Sequence, residues 1–554
     1  MSDHPIHKSG LKLFTPQAGT DDETAPVLVG TMEGSFVHKT VRDRWPQIIG
    51  KIVDHFHTKR REMMEEFGEE ADADVKAVIH GLSEMRYRMS TDKTLTLLTD
   101  DYHDVQKWND KLEMIQKEIG PDETTWFRTA WMFTECYLYR SLYGLVHSTK
   151  LLGTYDWFMD SKKEAFDTHL DQVKEAIYYV WTCTNDVELT PDHVKETLLV
   201  MLRMSLWANK GDLSLSGGNA VTSPPNPVFV ATKLQDKILA DDMEEAVDDY
   251  LTKLDQFRRD GKRRVDIVLD NAGLELLMDL LLVEVLFKAR LVDKVVLHGK
   301  AIPWFVSDVT EADMRWQIDR LMQINDVTAR TLSHKWKLRL QTGELSFRAH
   351  PFWTSWHNME DMESAAPDLY DELDDNSSFM ILKGDLNYRK LLRDRMWRMD
   401  TELSVAVGDV SLNPPILALR CNKSETIAGL DESCMELLGG IANRPDVWLC
   451  SGDYAPKRFH PSLLAIRTRL ITMVMNEIAI VLISAAVVWL LVYCILVIQR
   501  VKMDQDYTSL EQRAHSFNSV NSRRSTMSSS APRSPNVPRG SKREEQTSLF
   551  AFVA

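Results

Sequence analysis

RVDIVLDNAGLELLMDLLLVEVLFKARLVDKVVLHGKAIPWFVSDVT, residues 264–310, decides the fold. Val265, Ile267, Val268 and Leu269 form a short, β-branched apolar run that reads as a buried strand. The run stops at Asp270 and Asn271, Ala272 and Gly273 make a tight turn, and an apolar helix is expected from about Leu274 to Ala289. A second strand is expected at Lys294–Leu297 and a third at Trp304–Val306, the last stopping at Ser307 and Asp308. Thr310 and Asp313 have the spacing of a capping box, which opens another helix. Alternating strands and helices predict an open α/β sheet, and such sheets bind ligands just outside the carboxyl ends of their strands. Asp270, Asn271 and Asp308 stand at those ends. Singly, each is an ordinary cap or turn residue. Together, two carboxylates and an amide oxygen make an incomplete shell of hard ligands, suited to Mg²⁺ or Mn²⁺ rather than to a thiol-bound metal.

Two later segments repeat the pattern of a strand running into polar residues. Ser378–Leu382 reads as a strand entering Lys383-Gly384-Asp385-Leu386-Asn387-Tyr388-Arg389, with a helix expected from about Arg389. Pro415–Leu419 reads as a strand entering Arg420-Cys421-Asn422-Lys423. In a parallel sheet these ends converge, so hard-oxygen ligands would face Lys423, Arg420 and Arg389. A cation opposite such an anion-binding set is a reasonable seat for a phosphoryl group.

The flanking sequence bounds the rest. A net charge of −16 excludes a broad nucleic-acid-binding role. The six cysteines show neither CxxC spacing nor a histidine at zinc-finger distance, which fits a reducing compartment. From Val37 to about Tyr250 the pattern is mainly helical, with Ile48, Ile49, Ile52, Val53 and Phe56 at helical spacing. Trp126–Arg140 reads as an aromatic-rich helix in which Glu135 and Arg140 need buried partners. Ile478–Ile498 is uninterrupted by charge and has the length of a membrane span. The following Ser-, Arg- and Pro-rich tail cannot bury a core. The expected layout is a flexible leader (1–27), a helical region (28–255), an α/β domain binding metal and phosphate (256–456), a linker (457–477), a transmembrane helix (478–498) and a disordered tail (499–554). The catalytic part is expected on the cytosolic side, anchored by that single C-terminal span.

Several long segments also resemble one known family. They are WFRTAWMFTECYLYR at 126–140, LWANKGDLSL at 206–215, DNAGLE at 270–275, KAIPWFVSDVT at 300–310, HPFWTS at 350–355, KGDLNYRKL at 383–391 and WLCSGDYA at 448–455. Over Met32–Ala455 the chain is similar to the metal-dependent damage-control phosphatases, in the sugar-phosphate branch marked by an RTxK motif. Members of that branch have also been described as acidic residue, or protein-glutamate, methyltransferases. The resemblance implies a helical region packed on a three-layer α/β/α sandwich. It implies a Mn²⁺-dependent phosphatase, with Mg²⁺, Co²⁺ or Ni²⁺ as alternatives, acting on fructose 1-phosphate or fructose 6-phosphate. It puts the metal on Asp270, Asn271 and Asp308, and makes Asp270, Asp308 and Lys423 catalytic. Substrate contacts fall on Asp270, Asn271, Glu275, Asp308, Asp385, Leu386, Asn387, Tyr388, Arg389 and Lys423. The RTxK motif reads Arg-Cys-Asn-Lys here, with Cys421 in place of threonine. The alternative, carboxyl methyl transfer from S-adenosylmethionine, lacks a glycine-rich loop after the first strand. A non-catalytic, membrane-tethered scaffold is the remaining alternative. No DxDx[TV] motif marks a phosphoaspartate nucleophile, which favours water.

Overall fold

The computed structural model describes residues 25–185, 189–209, 233–234, 237–441 and 444–461, and after these only 498–500, 502–503 and 508–509. The chain divides into two compact units, Met1–Arg467 and Thr468–Ala554. The expected span at Ile478–Ile498 lies, apart from Ile498, outside the described residues. Among the described residues no helix is long and apolar enough to cross a membrane, so nothing there supports an anchor.

Numbering only helices of eight residues or more, the first unit opens with α1 (Trp45–Phe67), α2 (Ala71–Ser90), α3 (Val105–Ile119) and α4 (Trp131–His147). Their apolar faces meet in one core that includes Trp45, Ile49, Phe56, Leu82, Trp108 and Leu138. The spacing of Ile48, Ile49, Ile52 and Phe56 puts all four on the buried side of α1, as their period requires. The α4 helix is buried almost all round, charges included. Arg140 is satisfied by Asp100 at 2.8 Å and Asp104 at 2.7 Å.

Helices α5 (Met159–Thr168), α6 (Leu170–Asn185) and α7 (Pro191–Ala208) lead to the sheet. Its strands and helices follow as β1 (Ile238–Asp241), α8 (Met243–Arg259), β2 (Arg264–Val268), α9 (Leu274–Lys288), β3 (Lys294–Gly299), α10 (Glu311–Gln323), α11 (Val327–Thr342) and β4 (Leu345–Ala349). Then come α12 (Pro367–Asn376), β5 (Phe379–Lys383), α13 (Gly384–Leu391), β6 (Ile416–Leu419) and β7 (Ala455–His460). The strand order is β1-β7-β6-β5-β2-β3-β4. Strands β2 to β6 run parallel, β7 is antiparallel to β6, and β1 is parallel to β7. Along β2 the side chains alternate between two cores. Val265 and Ile267 join the core formed with α6–α11, whereas Val268 joins Phe352, Leu369, Leu373 and Tyr388 on the opposite face. Burial on both faces explains why these strands read as continuous apolar runs.

Two expected elements are different. Trp304–Val306 is not a strand. Pro303 has no N–H to give a ladder, and Phe305 and Val306 have φ of 44° and 73°, outside any extended conformation. The segment is a loop whose Trp304 and Val306 join the helical core, with Phe305 stacked on Tyr139 at 4.7 Å. The strand beside β3 is β4 instead. The helix expected near Arg389 begins at Gly384, so all of Asp385–Arg389 is helical. Gly384 has φ 82°, which turns the chain straight from β5 into α13, and Asn387 Nδ2 donates to the Lys383 carbonyl at 2.7 Å.

Candidate active site

The chain reverses its direction of travel across the sheet between β2 and β5: β3 and β4 lie on one side of β2, β5 and β6 on the other. Such a switch point opens a crevice at the carboxyl ends of the two strands. Register fixes what lines it. Val268 is level with His298 on β3 and Leu382 on β5, and Leu382 is level with Ala418 on β6. Two residues further on, just past the four strand ends, come Lys300, Asp270, Gly384 and Arg420. Glycine is required at the third of these. A Cβ on Gly384 would lie 2.0 Å from the Asp270 carboxylate, and the positive φ excludes ordinary side chains.

Asp308 reaches the same edge from the loop after β3. Val309 N donates to the Asp270 carbonyl at 2.9 Å, Ala272 N donates to the Ser307 carbonyl at 2.8 Å, and Asn271 and Asp308 form an antiparallel bridge. Asp270, Asn271 and Asp308 are thus held together by backbone, and all three are buried. The Asn271 amide is oriented at both ends. Its Nδ2 donates to Asp270 Oδ2 and Glu275 Oε2, each at 2.8 Å, and its Oδ1 accepts from Ser307 Oγ at 2.6 Å. Asn209, at the end of α7, duplicates the clamp: its Nδ2 donates to Asp270 Oδ2 at 2.6 Å and to Glu275 Oε2 at 2.8 Å.

Behind this pair lies a second buried layer. Lys383 Nζ meets Glu275 Oε1 at 2.7 Å, Asp279 Oδ1 at 3.0 Å and the Ser205 carbonyl at 3.2 Å. Ser205 Oγ donates to Asp279 at 2.6 Å. Burial pulls the Lys383 ammonium down, but the Asp279 and Glu275 carboxylates outweigh it and hold its pKa above the ordinary lysine value. Burial, with Glu275 adding to it, pushes the Asp279 carboxyl up against the pull of Lys383.

The cationic side is built on Asp385. Its Oδ1 accepts from Arg420 Nε at 2.7 Å, Ser424 Oγ at 3.1 Å and Lys423 N at 3.2 Å, which folds the Arg420–Ser424 loop around it. Arg420 is further committed to the Thr426 and Ser424 carbonyls and lies over the Tyr388 ring. Lys423 Nζ donates to the Asn209 carbonyl at 3.2 Å. Asn209 therefore touches the carboxylates with its side chain and the lysine with its backbone.

Not every expected residue enters the cluster. Arg389 gives Nε and Nη2 to Asp394, at 2.7 and 3.1 Å, and Nη1 to Glu135 at 2.6 Å, and stacks on Trp131. It ties α13 to α4. Leu386 and Tyr388 are buried packing residues of the helical core and of the sheet's second core. Conversely, Asn209, Ser205, Asp279, Lys300 and Lys383 belong to the site although sequence reasoning gave them no role. One signal was available: Glu275 and Asp279 are four apart in an otherwise apolar helix, so they share a face and need a common cation.

The donor set fits a hard divalent cation. Among the described residues no group of three His, Cys, Asp or Glu side chains gathers to hold a metal by itself; Asp270, Asn271 and Asp308 bring together two carboxylates and an amide. Asp270, Glu275, Asp279 and Asp308 are all buried, and Lys300 and Lys383 are the lysines among the described residues in ion-pair contact with them. Buried carboxylates gathered in this way suit a divalent ion.

Residues 40–437 match the damage-control phosphatase ARMT1-like domain. The chain is 35% identical over 436 residues to damage-control phosphatase ARMT1 of Danio rerio, covering 78% of this chain and 96% of that one. It is 36% identical over 433 residues to the Xenopus tropicalis protein of the same name, covering 77% and 97%, and 33% identical over 432 residues to the Homo sapiens protein, covering 77% and 96%. A solved structure of a DUF89 family protein from Pyrococcus horikoshii aligns with a TM-score of 0.31 at 14% identity, covering 60% of this chain and 86% of that one. The chain belongs to the damage-control phosphatase ARMT1-like family.

Proposed function

We propose that this protein is a divalent-metal-dependent phosphatase that hydrolyses small sugar phosphates of the fructose 1-phosphate and fructose 6-phosphate class. The family supports phosphatase chemistry. The observation that carries it is the pairing of a buried carboxylate–amide cluster with a lysine loop across one residue, Asn209. Asp270, Asn271 and Asp308 would hold the cation, with Mn²⁺ preferred and Mg²⁺, Co²⁺ or Ni²⁺ as substitutes. It would supply positive charge to the phosphoryl oxygens.

The remaining work falls to the chain's own side chains. Lys423 Nζ donates to a phosphoryl oxygen and neutralises charge that grows as the ester bond breaks. Asp385, its Oδ1 already engaged by the lysine loop, keeps Oδ2 to accept from a sugar hydroxyl. Asn387 Oδ1 is buried with no hydrogen-bond partner among the described residues and accepts from a second hydroxyl. Glu275 acts through Asn209, Asn271 and Lys383, holding Asp270 in register. Water is the attacking group, and the products are the free sugar and orthophosphate.

The test is phosphate release by the full chain from fructose 1-phosphate and fructose 6-phosphate across a metal panel. Calorimetric titration with S-adenosylmethionine runs beside it. Release that requires Mn²⁺ supports the reading. Binding of S-adenosylmethionine without any metal-dependent release would replace it with methyl transfer.

A further inference from the structure

Besides Lys423, Lys300, Lys383 and Lys390 lie buried near this end of the sheet, and the last two are well supplied with acceptors. Lys383 has Glu275, Asp279 and the Ser205 carbonyl. Lys390 donates to the Ser355 and His357 carbonyls at 2.6 and 2.7 Å. Lys300 differs. It is 1% exposed, its Nζ lies 3.2 Å from Asp308 Oδ2, and that nitrogen makes no hydrogen bond among the described residues. An ammonium carries three donors, and burying them without acceptors is costly.

The backbone aims this residue with care. Lys300 N donates to the Val309 carbonyl at 2.8 Å, and Lys300 pairs with Thr310 in a parallel bridge, so the lysine is pinned beside the Asp308 loop. It comes directly after β3, as Asp270, Gly384 and Arg420 come just after β2, β5 and β6, and Lys423 stands three residues beyond Arg420. With strands about 4.8 Å apart, the β3 and β6 backbones stand about 14 Å from each other. Asp270 and the bare backbone of Gly384 occupy the middle. Two long lysine side chains rooted at the flanks have room for one phosphoryl group between them.

We infer that Lys300 is a second phosphoryl-binding residue, donating to substrate from the β3 side while Lys423 donates from the β6 side. The inference rests on the phosphatase reading of the site and deepens it. A phosphoryl group has several oxygens to share among donors, and charged donors placed where negative charge accumulates stabilise its transfer. The competing role is that of a plain counterion for Asp308. That role accounts for the ion pair and leaves the empty donors unexplained.

The experiment uses the full chain with Mn²⁺ at saturation and orthophosphate as the titrant, comparing the parent with Lys300→Met and Lys300→Gln. Direct Mn²⁺ titration of each protein is the second readout. Loss of a charged hydrogen bond should weaken orthophosphate binding about ten- to a hundredfold while Mn²⁺ affinity holds. Unchanged orthophosphate affinity would overturn the inference. So would a parallel loss of Mn²⁺ affinity, or failure of both variants to fold, since either makes Lys300 a counterion. If the parent itself binds Mn²⁺ but no orthophosphate, the phosphatase reading fails, and the inference with it.

Discussion

Two buried charge networks meet in this protein, and they are built on opposite rules. Around Arg389 the network is closed. All three guanidinium nitrogens reach carboxylate oxygens of Asp394 and Glu135, Trp45 Nε1 donates to Glu135 at 3.3 Å, and Thr426 Oγ1 donates to Asp394 at 3.4 Å. Around Asp270 the network is open. Two carboxylates share the same two amide nitrogens, Asn209 Oδ1 and Asn387 Oδ1 have no hydrogen-bond partner among the described residues, and Lys300 keeps its donors. A saturated network gains nothing from a ligand. An unsaturated one, equally buried, is costly until something fills it. By that criterion we propose Arg389 as architecture and the Asp270 cluster as the place of the chemistry, although both stand out equally in the sequence.

The largest expected effect lies in the closed network. Arg389→Met leaves Glu135 and Asp394 as buried, unpaired carboxylates and should cost about 3–5 kcal/mol in urea unfolding. Activity per folded molecule should change little. A stable variant with abolished turnover would erase the distinction between the networks and return Arg389 to the substrate.

Glu425 lies where the two networks approach each other and tests their boundary by pH. Its Oε1 accepts from Phe36 N, its Oε2 has no hydrogen-bond partner among the described residues, and burial raises its pKa from 4.5 to about 7. Between those values the folded chain keeps a proton that the unfolded chain has lost, so stability falls as pH rises through this window. The loss should reach about 3 kcal/mol between about pH 4.5 and 7. Glu425→Gln, neutral throughout, should remove that slope. Thermal melts at several pH values check it; an unaltered slope in the variant would assign the effect elsewhere.

The smallest effect belongs to the motif departure. Cys421 is fully buried, with Sγ 3.4 Å from the Leu206 carbonyl. Thr is close in volume and its hydroxyl can keep that contact, so Cys421→Thr should change stability by less than about 1 kcal/mol. Its influence should appear as a modest shift in KM among sugar phosphates, measured as a ratio between two substrates.

How far the sequence alone reached follows from the range of the interactions. The β2 stop was legible because an apolar run, a polar pair and a glycine turn are contiguous at Val265–Gly273. The Thr310–Asp313 capping box was legible for the same reason, and both of its bonds form. Trp304–Val306 misled because aromatic and β-branched residues mark strands, whereas here they serve a core built from distant helices. β4 was missed because an edge strand needs only Leu345 and Phe347 on its packed side. Asn209, Asp279 and Lys383 were invisible as a unit. They lie on three separate elements, two helices and a strand, and meet only in the packed fold through Glu275 and Lys383.

The most direct measurement is Mn²⁺-dependent phosphate release by Asp270→Ala and Asp308→Ala, with thermal unfolding recorded on the same samples. Asp308→Ala also takes an ion-pair partner from buried Lys300, so rates are compared per folded molecule, and both variants should lose about a thousandfold or more in rate. Metal-dependent release near the parent's rate in either folded variant would contradict the assignment of the open network as the active site.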